Sequence, residues 1–275
     1  MGVPVPADVR ASRGPLDVAA LQAELRRRRS RWPPPRVMST VESTNANVAA
    51  LARDGAPEGH VLVAEEQISG RGRLDRSWVS PRGSGLTLSV LLRPKSPILT
   101  WSWLPIVAGL ALLTAVRRLT QLDAVLKWPN DLLLGPAQAK AAGILAQSGP
   151  GWVVIGMGLN VSTTAEELPP GATSLRAEGA TVGREALLVE LVLALESGYA
   201  AWSEANGDAE RSGLLADYAD SCATLSRAVT VQLPDGGAVR GVAVGVDPSG
   251  GLTVRTEDGS LTTVVAADVV HVRPQ

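Results

Sequence analysis

The sequence contains few of the residues that build disulfide, zinc or thiol-based sites. Its 275 residues include one cysteine, two histidines and no phenylalanine. A single cysteine excludes an internal disulfide framework, and the two histidines are too few for a zinc site built from several cysteine and histidine ligands. We expect Cys222 to be a small buried apolar residue, which suits a reducing, cytoplasmic setting.

Excess charge and long apolar runs are also absent. The 26 basic residues are balanced by 27 acidic ones, so no overall positive field favours nucleic acid. The most apolar stretch, 104–116, is shorter than the roughly 20 residues of a membrane span and contains Pro105 and Gly109, so we predict a buried helix. Residues 1–14 lack the apolar core of a signal peptide and are predicted to form a polar tail. We therefore expect neither DNA nor a membrane as a partner.

Common phosphate-binding and acyl-transfer motifs are missing as well. The chain has no Walker A loop, no dinucleotide-binding GxGxxG and no GxSxG elbow. With 45% hydrophobic residues it can still bury a substantial core. Any phosphate binding must therefore come from a different element.

Residues 70–78, Gly-Arg-Gly-Arg-Leu-Asp-Arg-Ser-Trp, provide such an element. Glycine allows the backbone to approach a ligand closely. Arginine binds phosphate or carboxylate with a planar, permanently charged fork, and tryptophan offers a flat face to an aromatic ring or a cation. The segment predicts a loop that closes over a small anionic ligand with an aromatic part, such as a nucleotide. The alternative is a solvated arginine-rich turn.

Two polar segments lie next to predicted strands. Ser43, Thr44 and Asn45 stand between a strand and a helix, where they can cap the helix or hydrogen-bond a polar ring such as a ureido group. Residues 127–131, Lys-Trp-Pro-Asn-Asp, place a donor, an amide and a carboxylate close together. The alternative for the second segment is a Pro-Asn-Asp turn with a solvated lysine.

Two further segments involve apolar strands. Lys140 precedes the apolar run 143–147 and is either a surface residue or a point charge suited to phosphate. Gly156 and Gly158 occupy alternate positions of a strand, which leaves one face bare, so a flat ring could pack there. Asn160 would then be placed to read an adenine edge.

Hydrophobic periodicity predicts an α+β domain up to about residue 224, followed by a small all-β domain. Helices are predicted over 16–29, 46–53, 103–119, 186–202 and 208–219. Strands are predicted over 37–41, 61–65, 86–92, 125–128, 130–134, 143–147 and 152–157. Five short strands with turn signals between them follow over 229–233, 239–246, 252–255, 261–265 and 269–272, which suggests a small closed barrel.

Taken together and in this order, the segments resemble the biotin protein ligase family. GRGRxxRxW, KWPND, KxxGIL and the GxGxN strand carry the resemblance over 37–161. It implies a class II synthetase-like catalytic domain with a central mixed β-sheet flanked by helices, over 15–224, and an SH3-like β-barrel over 225–275. A glycine would be usual where Ser226-Arg227 precedes the barrel.

The resemblance also implies the reaction. Biotin and ATP, with Mg²⁺, give biotinyl-5′-AMP and pyrophosphate, and biotin then passes to one lysine of a biotin carboxyl carrier domain of an acetyl-CoA or acyl-CoA carboxylase. The alternatives are a lipoate or octanoate ligase and a non-catalytic biotin sensor. The segment ahead of Ser43 is too short for the DNA-binding module that some members carry, so we expect no repressor role.

Site residues follow from the resemblance position by position. The catalytic residues would be Arg71, Arg73 and Lys140. The biotin-binding residues would be Ser43, Thr44, Asn45, Gln67, Arg71, Gly72, Arg73, Lys140 and Gly143. The nucleotide-binding residues would be Arg73, Arg76, Trp78, Lys127, Asn130 and Asn160. Asp131 is a candidate for a metal or for the incoming lysine amine.

Overall fold

The computed structural model describes residues 13–73, 76–233, 236–265 and 268–271, which form two β-sheets with helices packed on them. The helices are α1 (Val18–Arg27), α2 (Thr44–Arg53), α3 (Leu104–Leu119), α4 (Arg184–Glu204) and α5 (Leu214–Ser221), with a 3-10 helix over Ile98–Trp103. The strands are β1 (Arg36–Met38), β2 (Val61–Ala64), β3 (Gly85–Leu92), β4 (Ala124–Lys127), β5 (Asp131–Leu134), β6 (Ala139–Gly149), β7 (Trp152–Asn160), β8 (Ala228–Gln232), β9 (Ala238–Val246), β10 (Leu252–Arg255), β11 (Leu261–Val264) and β12 (Asp268–His271).

The large sheet is mixed, as predicted. Its strand order is β1-β2-β3-β7-β6-β5-β4, and only the β1–β2 pair is parallel. The central strands β3 and β7 are buried along their whole length, because helices cover both faces. Helix α2 packs on one face over β2, β3 and β7, whereas α3 packs on the other face over β4 to β7.

Helix α3 is the central core helix. Its apolar residues are buried nearly all round, and α4 packs along it. Gly109 marks the closest approach to the sheet, since a Cβ there would lie 3.4 Å from Leu126 Cδ2 and 3.5 Å from Ile144 Cδ1. The segment Ile98–Leu119 and α4 are each long and apolar enough to cross a membrane by composition alone. Their packing against each other agrees with the predicted buried helix.

A buried ion pair ties the N-terminal segment to the sheet. Arg184 Nη1 lies 2.7 Å from Glu65 Oε2, and both side chains are buried. Glu65 also accepts the backbone N–H of Leu16 at 2.7 Å. The last part of the predicted tail is held in the same region, because Arg13 forms an ion pair of 2.6 Å with Glu167.

The second sheet contains the five predicted C-terminal strands in the order β11-β10-β9-β8-β12, all antiparallel. The turn between β9 and β10 contacts the larger domain: Trp103 Nε1 donates to the carbonyl of Pro248 at 2.8 Å. Ser102 Oγ donates to the carbonyl of Ser249. Cys222 is free and buried, as expected, and lies in the segment that joins the two sheets.

Several boundaries differ from the sequence predictions, and the larger differences include the following. The predicted helix 208–219 begins only at Leu214, because Gly213 has a φ of 79° and Asp208 Oδ1 accepts the N–H groups of a separate turn at 210–211. Strand β1 ends at Met38 rather than 41, and β6 runs from 139 to 149 rather than from 143 to 147. The predicted tail up to residue 12, the loop centre at 74–75, the turn at 234–235 and residue 272 of the last predicted strand lie outside the described residues.

Ser226 supplies a first prediction. It has a φ of 63°, in the left-handed region, at the position where a glycine is usual. A side chain there costs roughly 1–2 kcal/mol, and glycine loses about 0.5–1 kcal/mol more backbone entropy on folding. We therefore expect Ser226→Gly to raise the free energy of unfolding by about 0.5–1 kcal/mol in urea denaturation.

Ser226→Ala is the control for the lost hydroxyl. Alanine keeps the Cβ that the left-handed backbone disfavours, so this variant should not be more stable than the parent. Equal stabilisation by alanine and glycine would show that the backbone conformation is not the cause.

Candidate active site

One row of cross-strand partners forms the floor of a cavity of about 450 Å³. Thr87 pairs with Gly158, Gly158 with Gly143, Gly143 with Asp131, and Asp131 with Lys127. Partners directly opposite each other carry their side chains on the same face of a sheet. The row therefore runs from a hydroxyl across two bare glycine positions to a carboxylate and an ammonium group.

A β-bulge brings Lys140 onto this face. Leu132 pairs with Ala142 but the next residue, Leu133, pairs with Lys140, so Ala141 is the extra residue on β6. Without the bulge, strict alternation would place Lys140 and Gly143 on opposite faces. With it, Lys140 Nζ forms an ion pair of 2.7 Å with Asp131 Oδ1.

The indole of Trp78 lies on the two glycines. A Cβ at Gly158 would collide with the ring, and one at Gly143 would lie 3.3 Å from it. Lys140 Nζ stands 5.9 Å from the ring centroid on the same side. The Nε1–H of Trp78 is buried and finds no acceptor among the described residues. A bare strand face and a flat ring thus occur together at Gly158, but the ring is the chain's own, and Asn45 rather than a ring covers Gly156.

The arginine loop, residues 70–78, has its two ends close together, and two backbone hydrogen bonds across its base form a narrow neck. Trp78 N donates to the carbonyl of Gly70 at 2.9 Å, and Gly72 N donates to that of Arg76 at 2.6 Å. Gly70 is required by close approach, because a Cβ would collide with the carbonyl of Trp78. Neither glycine has a positive φ, so the need for glycine at 70 is steric rather than conformational.

The Ser43–Asn45 segment both caps α2 and forms one wall of the cavity. Ser43 Oγ accepts the N–H of Ala46, which is the predicted capping role. Thr44 donates its N–H to Gln67 Oε1 at 2.8 Å, and Asn45 Nδ2 donates to the carbonyl of Leu145 at 3.1 Å. The three polar residues are therefore fixed in place before any ligand binds.

Ser89 supports this wall from below. It is completely buried on β3, and its hydroxyl donates to Asn45 Oδ1 at 2.6 Å, while its Oγ lies 2.8 Å from Thr44 Oγ1. Asn45 also fills the space above Gly156, where a Cβ would collide with its amide. A serine within the apolar strand 85–92 is the sequence signal that could have identified this support.

The opposite wall carries most of the positive charge. Asn130 donates Nδ2–H to the carbonyl of Ile144 at 2.7 Å and accepts from Arg73 Nη1 at 3.4 Å. Burial lowers the pKa of Arg73, against Asp131, which raises it. Burial also lowers the pKa of Lys127; Asp131 opposes this shift, and the cations Lys140 and Arg76 add to it. Positive charge is thus concentrated here at some electrostatic cost.

Most predicted site residues meet at this cavity. Those that line it are Ser43, Thr44, Asn45, Gln67, Arg71, Gly72, Arg73, Arg76, Trp78, Asn130, Asp131, Lys140 and Gly143. Among the described residues, four cations and two carboxylates, Asp131 and Glu42, form its charged lining.

Two predicted residues lie outside the lining. Lys127 is on the floor row beyond Asp131, and Asn160 is buried with its amide donating to the carbonyl of Thr173 at 2.9 Å. Their nucleotide contacts stay predictions. Sequence reasoning missed Glu42, Ser69, Thr87 and Gln147, which also line the cavity.

Comparisons with known proteins agree on one family. The Biotin/lipoate A/B protein ligase family model matches residues 37–160, and that of the Biotin protein ligase C terminal domain matches residues 224–272. The biotin–[acetyl-CoA-carboxylase] ligase of Mycobacterium tuberculosis is 40% identical over 268 residues, covering 95% of this chain and 97% of that protein. The bifunctional ligase/repressor BirA of Bacillus subtilis is 31% identical over 239 residues, which cover 83% of this chain and 71% of that protein.

Solved structures give the same result. The biotin protein ligase from Aquifex aeolicus in complex with biotin and ATP superposes with a TM-score of 0.72 at 26% identity. The alignment covers 87% of this chain and 99% of that one.

The role of Ser89 gives a second prediction. Ser89→Ala removes the donor to Asn45 and leaves buried acceptors without a partner, which costs about 1–3 kcal/mol. We expect the free energy of unfolding in urea to fall by that amount, and the wall formed by Thr44 and Asn45 to loosen.

Thr87→Val is the matched control. Thr87 lies two residues away on the same face, and its side chain forms no hydrogen bond within the described part of the chain. Its loss of stability should be clearly smaller than that of Ser89→Ala. A similar loss in both variants would mean that Ser89 acts through packing alone.

Proposed function

The chain belongs to the biotin protein ligase family, and from that premise we propose how its cavity carries out ATP-dependent ligation of biotin to a carrier protein. The observation that carries the proposal is the cavity itself: a preformed polar wall faces a cationic wall across a bare glycine floor. The polar wall suits a ligand with an uncharged polar ring, and the cationic wall suits a polyanionic ligand.

The polar wall suits the ring system of biotin. A ureido group needs both donors and acceptors, and Ser43, Thr44 and Asn45 supply hydroxyl and amide groups at one end of the cavity. Gln67 is bound to Thr44 and would be fixed by it. Gly143 leaves room beside the ring, and biotin's carboxylate would extend toward the arginines.

The cationic wall suits the nucleotide. Biotin's carboxylate and the triphosphate repel each other, so joining them requires positive charge at the point of contact. Arg71, Arg73, Arg76 and Lys140 line the cavity there. The adenine and ribose would bind near Trp78 and Asn130, with Lys127 and Asn160 close behind. The buried Nε1–H of Trp78 would gain an acceptor from a ligand.

In the first step, a carboxylate oxygen of biotin attacks the α-phosphorus of ATP. The bond from this phosphorus to the bridging oxygen breaks, and pyrophosphate leaves. Arg71, Arg73 and Lys140 would hold the reacting oxygens and stabilise the charge that develops on them. Fixed cations are effective here because they need no reorganisation during the step.

In the second step, the ε-amine of a lysine on a biotin carboxyl carrier domain attacks the acyl carbon of biotinyl-5′-AMP. The bond from the carbonyl carbon to the phosphate oxygen breaks, the amine loses a proton, and AMP leaves. Asp131 lies on the floor beside Lys140 and could accept that proton. The carrier of an acetyl-CoA or acyl-CoA carboxylase is the proposed partner.

Mg²⁺ would arrive with ATP. No cluster of three or more potential ligands from histidine, cysteine, aspartate and glutamate occurs among the described residues, and Asp131 is already paired with Lys140. Mg²⁺ commonly binds through substrate phosphates with only one or two carboxylates. The residues therefore fit MgATP as the substrate, with Asp131 as the nearest carboxylate on the floor.

The proposal includes a cytoplasmic location and no DNA partner. A net charge of −1 gives no general attraction to nucleic acid, and the single buried cysteine suits a reducing compartment.

Intact-mass analysis of a purified carrier domain tests the function directly. The carrier is incubated with this protein, MgATP and either biotin or lipoate. We expect one biotinyl addition that depends on ATP and no lipoyl addition. A carrier whose target lysine is replaced by arginine is the control and should remain unmodified.

A lipoyl addition would instead establish the lipoate ligase. Binding of biotin without any transfer, to a carrier that another biotin ligase modifies, would favour the sensor. Either result would overturn the proposed function.

Arg73 gives a further prediction. It is part of the loop and donates to Asn130, so Arg73→Gly should loosen the loop over the acyl-adenylate and let biotinyl-5′-AMP escape. Bystander proteins in the mixture should then acquire biotin, as detected by streptavidin blotting. Arg82→Gly, an exposed arginine outside the cavity lining, is the matched control. Bystander labelling at the parent level in Arg73→Gly would exclude a retention role.

A further inference from the structure

The turn that carries Asn130 and Asp131 is held from outside the seven-stranded sheet. Trp128 stands at the start of this turn and is buried. Its indole Nε1–H donates to the carbonyl of Gly250 at 3.0 Å, in the turn between β9 and β10. Its backbone N–H donates to Thr224 Oγ1 at 3.1 Å, where the chain passes toward the second sheet. The start of the turn is therefore anchored at two points.

Thr224 connects this turn to the last described strand. It is completely buried, and its Oγ1 lies 3.1 Å from His271 Nε2 on β12. Because the backbone N–H of Trp128 can only donate, Thr224 Oγ1 is the acceptor of that hydrogen bond. Its own O–H is then available to donate a hydrogen bond to His271 Nε2. The chain of hydrogen bonds thus runs from Trp128 through Thr224 to His271.

For Thr224 to donate to His271, the imidazole must be neutral and its Nε2 must carry no proton. Burial, together with the neighbouring cations Lys127 and Arg227, lowers the pKa of His271 to about 4. At neutral pH the ring can therefore accept the hydroxyl proton of Thr224.

The turn anchored through Trp128 carries residues of the cationic wall of the cavity but none of the polar wall. Asn130 binds Arg73 and the carbonyl of Ile144, and Asp131 pairs with Lys140. The polar wall at 43–45 is held instead by Ser89, Gln67 and the carbonyl of Leu145. A displacement of the turn would move the cationic wall and leave the polar wall in place.

We propose that Thr224 and His271 are positioning residues, which set the cationic wall through the Trp128 turn. The inference rests on the proposed function for the assignment of nucleotide to that wall. The second sheet would thereby support the ATP site without contacting ATP through these two residues.

The test compares Thr224→Val in the full chain with the parent protein. Valine keeps the shape but removes both hydrogen bonds of the hydroxyl. We expect the KM and Kd for MgATP to rise about tenfold, a factor within the range for loss of buried hydrogen bonds. The Kd for biotin, measured by calorimetry, should change by less than about twofold.

Three variants separate positioning from packing. Thr224→Ser keeps the hydroxyl and should restore the KM for MgATP to within about twofold of the parent. Trp128→Phe removes the donor to Gly250 and should raise that KM while leaving biotin binding unchanged. Thr253→Val removes an exposed hydroxyl from β10, in the same sheet, whose hydrogen-bond partner is Thr263, and should leave both constants unchanged.

An unchanged KM and Kd for MgATP in Thr224→Val would overturn the inference, even if the variant were less stable. So would an equal weakening of biotin binding. Failure of the proposed function is distinguishable, because a parent protein that binds MgATP but transfers no biotin still allows the shift in its Kd to be measured.

Discussion

The active-site face depends on one steric constraint, the absence of side chains at Gly143 and Gly158. The two are cross-strand partners at the centre of the sheet, and the indole of Trp78 lies on them. A methyl group at Gly158 would displace the ring, and with it the neck of the arginine loop that Trp78 closes through its hydrogen bond to Gly70. The bare floor therefore fixes where the loop returns, and the loop fixes where its arginines stand.

Two separate supports hold the walls on either side of this floor. Ser89 is buried beneath Thr44 and Asn45 and belongs to the sheet itself. Trp128 is bound by groups from the C-terminal part of the chain. Since neighbouring buried contacts couple strongly and distant ones do not, the two walls can respond independently to substitution. On the proposed assignment, a reaction that joins two substrates would benefit from such separation, because each substrate would meet a wall that is already ordered.

The sequence predicts the element types, their order and most of the cavity lining, because alternation, turn residues and motif composition are local signals. It does not predict the directions of side chains that depend on pairing. Lys140 reaches the floor only because a bulge at Ala141 shifts the register of β6. Asn160 has the expected position on β7, but its amide is bound by the carbonyl of Thr173, which comes from a distant loop. Helix α5 starts late for a similar reason, since the turn at Asp208 competes with it.

The concentration of cations follows from the same geometry and has a thermodynamic consequence. Lys140 forms an ion pair with Asp131 on the floor, and burial lowers the pKa of Arg73 and of Lys127 and so disfavours their charged forms. The protein without ligand therefore carries an unfavourable electrostatic term in this wall. If the nucleotide binds this wall as proposed, its phosphates would offset that cost of burying positive charge and so contribute to the affinity. On the proposed mechanism, the same buried cations that are unfavourable in the free protein would bring a carboxylate to a phosphate.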